Sequence, residues 1–577
     1  MSLIIFVVIS ALIFFSAYIF MGAWITKWMG LKDDNTTPAF TRRDGLDFEP
    51  IGWKALLPQH FSAISAAGPI VGPILAGTLF GWGPTWLWII FGSIFIGGIH
   101  DFTTLVASVR HSARSVAEIV KQYINQRAYK LFLIFIWLTL IYVIIAFADV
   151  TAGAFVQTAS TEDATAPGPA VATSSILYLL LAAFMGLSMR SGLKSGPAKA
   201  IFLPLVLVAI LAGPFMSLDL EKIFPGHGQK LWNYLLLAYC FIASITPVWL
   251  LLQPRGELGG YFLYFIMILG FAGILIGGLS GGIAINAPAF SNAPLFFGTE
   301  GVRPIFPILF ITVACGACSG FHSVVSSGTT SKQLSRESDA RPVAYGGMLL
   351  EGLFACLSLA AVMILVEPKG KPDVIYANGI SNFLNFAFLK TVPTQTLYQF
   401  ALLCFATFIF DTLDACTRLA RYILMELTGW TGRRGIIWAT VITLVLPVLV
   451  VSLPSATLNG KEMPLWRVFW NLFGSSNQLL AALALLAVAV WLRHIGKHYA
   501  LPLFGFFFMC VMTLWSLILT GFDYYKKVSS GSVAALYSVE AGVAAILMVL
   551  AVWLAAEAFV IWKKPIEKIE PLMDTEL

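Results

Sequence analysis

Acidic side chains stand inside long apolar runs of this chain. Asp101 follows His100, Asp149 lies in Ala-Phe-Ala-Asp-Val-Thr, and Glu351 lies in Met-Leu-Leu-Glu-Gly-Leu. Asp411 and Asp414 lie three apart in Phe-Asp-Thr-Leu-Asp-Ala-Cys-Thr-Arg. A carboxylate at the middle of a hydrocarbon layer costs on the order of 2.5–3.5 kcal/mol, so such a residue pairs, lines water or carries protons. Asp411 and Asp414 share a helix face that Arg418 continues, so an Asp414–Arg418 ion pair is one structural reading. Asp149 and Glu351 have no such neighbour in sequence and are the better candidates for carrying a coupling proton.

Three further segments combine polar groups with helix breakers. His60 to Gly77 reads HFSAISAAGPIVGPILAG. Its two Gly-Pro pairs, Gly68-Pro69 and Gly72-Pro73, remove backbone donors and predict a broken helix, against the plainer reading of a proline kink. Freed carbonyls at membrane depth persist where protein or a water-filled cavity satisfies them, and broken helices of this kind form solute sites in transporters. His60, Ser65, Gly68 and Gly72 are therefore candidate solute-binding residues. Thr246-Pro247-Val-Trp249 predicts a second interrupted helix, which adds Thr246 and Trp249. Cys315 to Thr330 is dense in small and hydroxyl residues around His322, with Ser323, Ser326 and Ser327 following it. Hydroxyl oxygens suit a hard cation, whereas close helix packing favours the same small residues. The Cys315-x-x-Cys318 pair has no histidine or cysteine cluster around it and reads as packing rather than a metal site.

The elements that must hold these residues are membrane helices. Of 577 residues, 58% are hydrophobic and 11% charged, against roughly 45–50% and about 25% in soluble domains. Fifteen apolar stretches can be marked, near 2–24, 54–80, 84–109, 130–157, 174–189, 198–217, 231–252, 259–284, 304–328, 342–366, 397–426, 435–453, 468–493, 499–521 and 534–562, with a further half-helix at 381–393. The first reads as a retained span rather than a cleaved signal peptide. The odd-numbered connectors carry most of the lysines and arginines, which places the N-terminus outside and Lys563, Lys564 and Lys568 in the cytoplasm. Ser115 to Gln126 has helical apolar spacing and an S-x-x-E capping box at Ser115 and Glu118, which predicts a short interfacial helix. The net charge of +6 serves orientation, not nucleic-acid binding. No G-x-x-x-x-G-K-[ST] phosphate loop is present, so ATP-driven transport is excluded. His322 and Ser326 lie four apart, but no third group or metal motif accompanies them, so the chain is not read as an enzyme.

Six stretches together resemble the carbon starvation protein A family: His60–Ala76, His100–Arg110 (HDFTTLVASVR), Pro247–Arg255 (PVWLLLQPR), Phe306–Leu334 (FPILFITVACGACSGFHSVVSSGTTSKQL), Thr412–Leu427 (TLDACTRLARYILMEL) and Phe473–Leu486 (FGSSNQLLAALALL). They follow the family's order. The resemblance implies an inner-membrane carrier for peptides or pyruvate, by proton symport, related to the amino acid–polyamine–organocation superfamily with its LeuT-type fold. By that kinship a sodium site would fall at Ala66, Pro69, Ser323, Ser326 and Ser327. The chain departs from many relatives in having Gln59-His60 where two histidines are usual, and His100 where glutamine is usual.

The expected fold is an all-α polytopic membrane protein of about fifteen helices, with two inverted five-helix repeats and discontinuous helices. Residues 1–30 would form an N-terminal helix, 54–217 and 231–427 the repeats, 435–562 additional helices and 563–577 a cytoplasmic tail. The expected function is gradient-driven uptake of a small carbon source into a prokaryotic cell, coupled to H⁺ or Na⁺ and without an organic cofactor. Asp149, Glu351, Asp411 and Asp414 are the candidate coupling acids. A nutrient-state sensor or a channel is the alternative. Membrane lipid and a small solute are the expected partners.

Overall fold

A computed structural model describes residues 2–65, 67–156, 167–298, 303–367, 370–453, 456–458, 461–463, 465–529 and 535–563. One-turn helices aside, the chain runs α1 (Leu3–Met29), α2 (Trp53–Ile64), α3 (Gly68–Phe80), α4 (Trp82–Arg110), α5 (Val116–Tyr123), α6 (Gln126–Phe155), α7 (Pro167–Arg190), α8 (Ser195–Ala212), α9 (Gly228–Ile245) and α10 (Leu252–Leu279). It continues with α11 (Ile305–Thr312), α12 (Gly320–Val325), α13 (Gly346–Met363), α14 (Pro372–Ala387), α15 (Thr394–Thr428), α16 (Gly432–Ser452), α17 (Leu465–His494), α18 (Ala500–Ser529) and α19 (Ala535–Trp562). Among the described residues the only strands form a small antiparallel hairpin, Ala456–Leu458 with Lys461–Met463.

Local chemistry explains several boundaries. Ser2 accepts a hydrogen bond from the Ile5 amide and starts α1; Gly30, with φ 60°, ends it in the left-handed conformation that glycine adopts without strain. Asn125 caps α6 through the Ala128 amide at 2.8 Å. The helix at Val116–Tyr123 forms as its spacing predicts, but the capping box does not. Ser115 Oγ instead donates to Glu426 Oε1 at 2.8 Å, and Glu118 pairs with Arg114 and Lys121. A charged acceptor on α15 outcompetes the local amide.

Among the described residues, twelve helices are long and apolar enough to cross a membrane, thirteen if α2 and α3, bent by 45°, count as one span. The expected fifteen stretches differ from these at two places. α9 is only 18 residues long and stops at Ile245, before Thr246-Pro247. The 304–328 stretch is split into α11, a link that turns at 315–317, and α12. Pro254-Arg255-Gly256, read from sequence as a connector, lies in the first turns of α10, where proline's missing amide costs nothing. The half-helix expected at 381–393 is α14, which begins earlier and ends at Ala387.

α15 lies at the centre, with its most apolar stretch wholly buried. α6, α14, α10, α2 and α7 surround it. α8, α18 and α19 present leucine, valine and phenylalanine outwards, as lipid-facing helices do. The polar groups are therefore collected on inner helices and at the two breaks.

Candidate functional site

The first break lies between α2 and α3. α2 ends at Ser65, and α3 restarts with Gly68-Pro69 at its N-terminus, where proline is tolerated. The second pair, Gly72-Pro73, does not interrupt α3. A Cβ at Gly72 would sit 2.6 Å from the Thr312 carbonyl oxygen, so glycine there serves close packing against α11. The second break spans 313–319. Its freed carbonyls find side-chain donors: Trp88 Nε1 reaches Val313 O at 3.1 Å and Ser93 Oγ reaches Gly316 O at 3.0 Å. Asn477 of α17 accepts from the Phe321 amide at 2.8 Å and so caps α12. Backbone that would be untenable in lipid is thus satisfied by protein. Gly92 and Gly97 of α4 let this link approach; a Cβ at Gly92 would lie 2.7 Å from that of Ala317.

The break aims α12 so that His322 bridges two carboxylates. His322 Nδ1 is hydrogen-bonded to Asp101 Oδ2 at 2.8 Å, whereas Nε2 lies 3.2 Å from Glu351 Oε2 at ion-pair distance without a hydrogen bond. His100 Nδ1 holds the other Asp101 oxygen at 2.7 Å. The row Glu351–His322–Asp101–His100 comes from α13, α12 and α4, and all four side chains are fully buried. It contains two acids and two imidazoles and no permanent cation, so its charge is set by how many protons it holds.

A second cluster is built on a guanidinium. Arg255 of α10 donates through Nε to Asp411 Oδ1 and pairs through Nη1 with Asp414 Oδ2 at 2.5 Å. Tyr239 of α9 accepts from Arg255 and donates to Asp414 Oδ2 at 2.7 Å. Ser62 Oγ donates to Asp411 Oδ2, and Tyr178 Oη holds the Arg255 carbonyl at 2.6 Å. Here a fixed positive charge compensates the carboxylates.

Asp411 of the second cluster also lines a cavity of about 10 Å³, room for roughly one water. His60, Thr330 and Asp411 line it, with Leu252 and Gly256 from the start of α10. His60 Nδ1 and Thr330 Oγ1 are 2.8 Å apart. His60 Nε2 has no hydrogen-bond partner among the described residues although the ring is buried.

The family described as "Carbon starvation protein CstA" matches residues 2–370 and 366–516. The chain belongs to the carbon starvation protein CstA family. Similar members include the peptide transporter CstA of Helicobacter pylori, 32% identical over 85% of this chain and 78% of that one. The peptide transporter CstA of Bacillus subtilis is 28% identical over 99% of both chains. The pyruvate/proton symporter BtsT of Escherichia coli is 29% identical over 83% of this chain and 76% of that one. A solved manganese transporter of Eremococcus coleocola aligns over 90% of this chain and 99% of its own at 13% identity, with a TM-score of 0.44. With its apolar helices, this CstA-family chain is a multi-pass bacterial membrane transporter.

The remaining candidate residues of this CstA-family member are dispersed. Gly68 packs on Cys315 and Pro69 on Gly316. Ser323 Oγ is spent on the Gly320 carbonyl, and Ser327 Oγ accepts from the Val116 amide at 3.3 Å; Ser326 and Ser65 hydroxyls are buried without a partner among the described residues. Ala66 lies outside the described residues. Thr246 and Trp249 sit in the α9–α10 link away from the cavity, Trp249 beneath the Arg190 guanidinium at 5.3 Å. Asp149, expected to lack a partner, accepts from Gln229 at 3.0 Å, Asn233 at 3.2 Å and the Trp466 amide at 2.9 Å. Glu351 likewise gains His322.

Arg418 does not pair with Asp414 as its spacing allows. It caps the end of α9 through the Ala243 and Thr246 carbonyls and reaches Asp47 at 3.3 Å. Orphan carbonyls at a helix C-terminus attract a cation, which decides the competition. Arg255, Asn477 and Asp47 escaped the sequence reading. A lone arginine beside Pro254 resembles a loop, and nothing local marks Asn477 or Asp47 as partners of distant helices.

Proposed function

We propose that this protein is a proton-coupled symporter for a small carboxylate, pyruvate or a short peptide, driven inward across the cytoplasmic membrane. The carrying observation is His322 held between Asp101 and Glu351. When Nε2 takes a proton from Glu351, Nδ1 gives one to Asp101, and the ring ends neutral, so the row can pass a proton without a lasting imidazolium. His60, which lies within electrostatic reach of Asp101 and His322, lines the cavity and would report the proton's position to the solute. The Arg255 cluster would hold α10 and α15 together around that cavity. Asp411, Asp414 and Asp149 would serve structure.

In this reading the small cavity is an occluded state. Solute enters when α2–α3 and α10 part, with 54–217 and 231–427 acting as two inverted units, N-terminus outside and C-terminus in the cytoplasm. Ser323 and Ser327 are engaged with backbone, and Pro69 packs elsewhere, so protons rather than Na⁺ are the favoured coupling ion. A cavity sealed to about one water gives the channel alternative no support.

The test is uptake of labelled pyruvate, lactate and dipeptides into proteoliposomes with imposed ΔpH or ΔNa⁺. ΔpH should drive accumulation of at least one of these solutes. Accumulation with ΔNa⁺ alone, or no gradient-stimulated uptake, would overturn the proposal.

A further inference from the structure

A second cavity, about 340 Å³, opens on the face predicted to be cytoplasmic. It stands in line with the small one. On α15, Asp411 and Ala415 line the small cavity and Leu419 and Tyr422 line the larger; on the segment after α12, Thr329 and Thr330 line the small one and Ser327 and Gly328 the larger. Ala415 and Leu419 are one helical turn apart, about 6 Å. Gly328 and Leu419, both lining the larger cavity, pack against each other beside the small one.

The charged residues lining the larger cavity are Arg42, Arg114, Lys121 and Lys332, with Glu118 and Glu426. The acids are engaged. Glu118 Oε1 takes Arg114 at 2.7 Å and Lys121 at 3.4 Å. Glu426 Oε1 accepts from Ser115 at 2.8 Å and Tyr129 at 3.1 Å. Asp47, behind the wall, is taken by Tyr422, Arg418 and Arg421.

Lys332 is held differently. Its Nζ lies 3.8 Å from the centre of the Tyr422 ring and 5.4 Å from that of Phe48. It makes no hydrogen bond or ion pair with a carboxylate among the described residues. Ring faces stabilise the charge of an ammonium but do not accept its N–H groups as an oxygen does. Lys332 is thus an ammonium with N–H donors to spare, its charge shared at a distance with Asp47 and Glu426, in a chamber large enough for a small organic acid and one turn from the small cavity.

We propose that Lys332 is the cytoplasmic-side carboxylate station of this transporter. Its ammonium binds the carboxylate of the solute in the 340 Å³ vestibule before release to the cytoplasm. This rests on the reading of the solute as a carboxylate. Transfer from the inner cavity then requires only that the Gly328–Leu419 contact part.

The experiment uses the full-length protein, purified and in oriented proteoliposomes, as wild type, Lys332→Gln and Lys332→Arg. Pyruvate and its neutral methyl ester are titrated against the purified protein, and half-saturation for pyruvate is measured separately on each membrane face. Lys332→Gln should weaken pyruvate on the vestibule face about tenfold or more, as loss of a charge-assisted hydrogen bond does. The opposite face and the methyl ester should be unaffected, and Lys332→Arg should restore most of the loss. Unchanged pyruvate binding in Lys332→Gln, or equal loss for the ester or on both faces, would overturn the station while wild-type uptake leaves the functional reading standing. Wild-type protein that neither binds nor moves a carboxylate would overturn both.

Discussion

The two buried charge clusters have opposite chemistry, and only the second, through Asp411, lines the small cavity. Glu351–His322–Asp101–His100 has no permanent cation; its charge depends on protons. Asp411–Arg255–Asp414 has a guanidinium that stays charged at any accessible pH. The first can change state during a transport cycle, and the second cannot without exposing an unpaired charge. Burial alone therefore does not identify a coupling acid: Asp411 and Glu351 are equally hidden but differently compensated. The account assigns coupling to the imidazole row and the holding of α10 to α15 to the arginine cluster.

The largest expected effect lies in the arginine cluster. Arg255→Met leaves two buried carboxylates uncompensated and should destabilise the protein by about 3–5 kcal/mol, read as thermal unfolding in detergent. Arg255→Lys should rescue it poorly, because one ammonium cannot reproduce the fork that meets Asp411, Asp414 and Tyr239. Adding Asp411→Asn and Asp414→Asn to Arg255→Met should recover most of the loss. A stable Arg255→Met protein would erase the contrast between the clusters.

The imidazole row should respond in coupling rather than in stability. Glu351→Gln should reduce ΔpH-driven accumulation about 100-fold or more. Solute exchange at equal pH should remain, since Gln preserves the shape of the buried side chain. Asn477→Ala should then cost about 1–2 kcal/mol, the worth of a helix N-cap, by releasing the start of α12. It should lower coupling only through the aim of His322.

A pH-dependent effect concerns Asp47, in the connector before α2. Burial raises its pKa, but Lys332, Arg421 and Arg418 outweigh burial and hold the carboxyl below the ordinary range. A lowered folded-state pKa contributes stability that is present above the unfolded value and lost as pH falls through the folded one. Wild type should therefore exceed Asp47→Asn by about 1–3 kcal/mol at pH 7 and 5, with the gap closing only below about pH 4. Thermal unfolding across that range checks it.

Much of this was legible in the amino-acid order because lipid enforces simple rules. Apolar runs mark spans, and Gly68-Pro69 marks the first break, whereas the break at 313–319 lies inside a stretch that reads as one span. Acids inside such runs mark the inner helices. What stayed hidden is pairing over distance. Arg255 and Asp411 are 156 residues apart, and Pro254 made Arg255 look like part of a loop. Asp149 seemed solitary because its donors come from α9 and the start of α17. Arg418 was matched with the nearest acid on its own helix, whereas the open carbonyls at the end of α9 claimed it. Gly72 was read for a break and serves the approach of α11. Local pattern reports backbone and burial; the identity of a polar group's partner is decided by packing between helices.

The central claim is that the coupling proton travels through His322 between Asp101 and Glu351. The most direct measurement is the proton flux that accompanies solute uptake in proteoliposomes, compared in wild type, His322→Gln and Asp411→Asn. The account predicts solute-linked proton entry in wild type and in Asp411→Asn, and solute exchange without proton movement in His322→Gln. Undiminished proton flux in His322→Gln would contradict it.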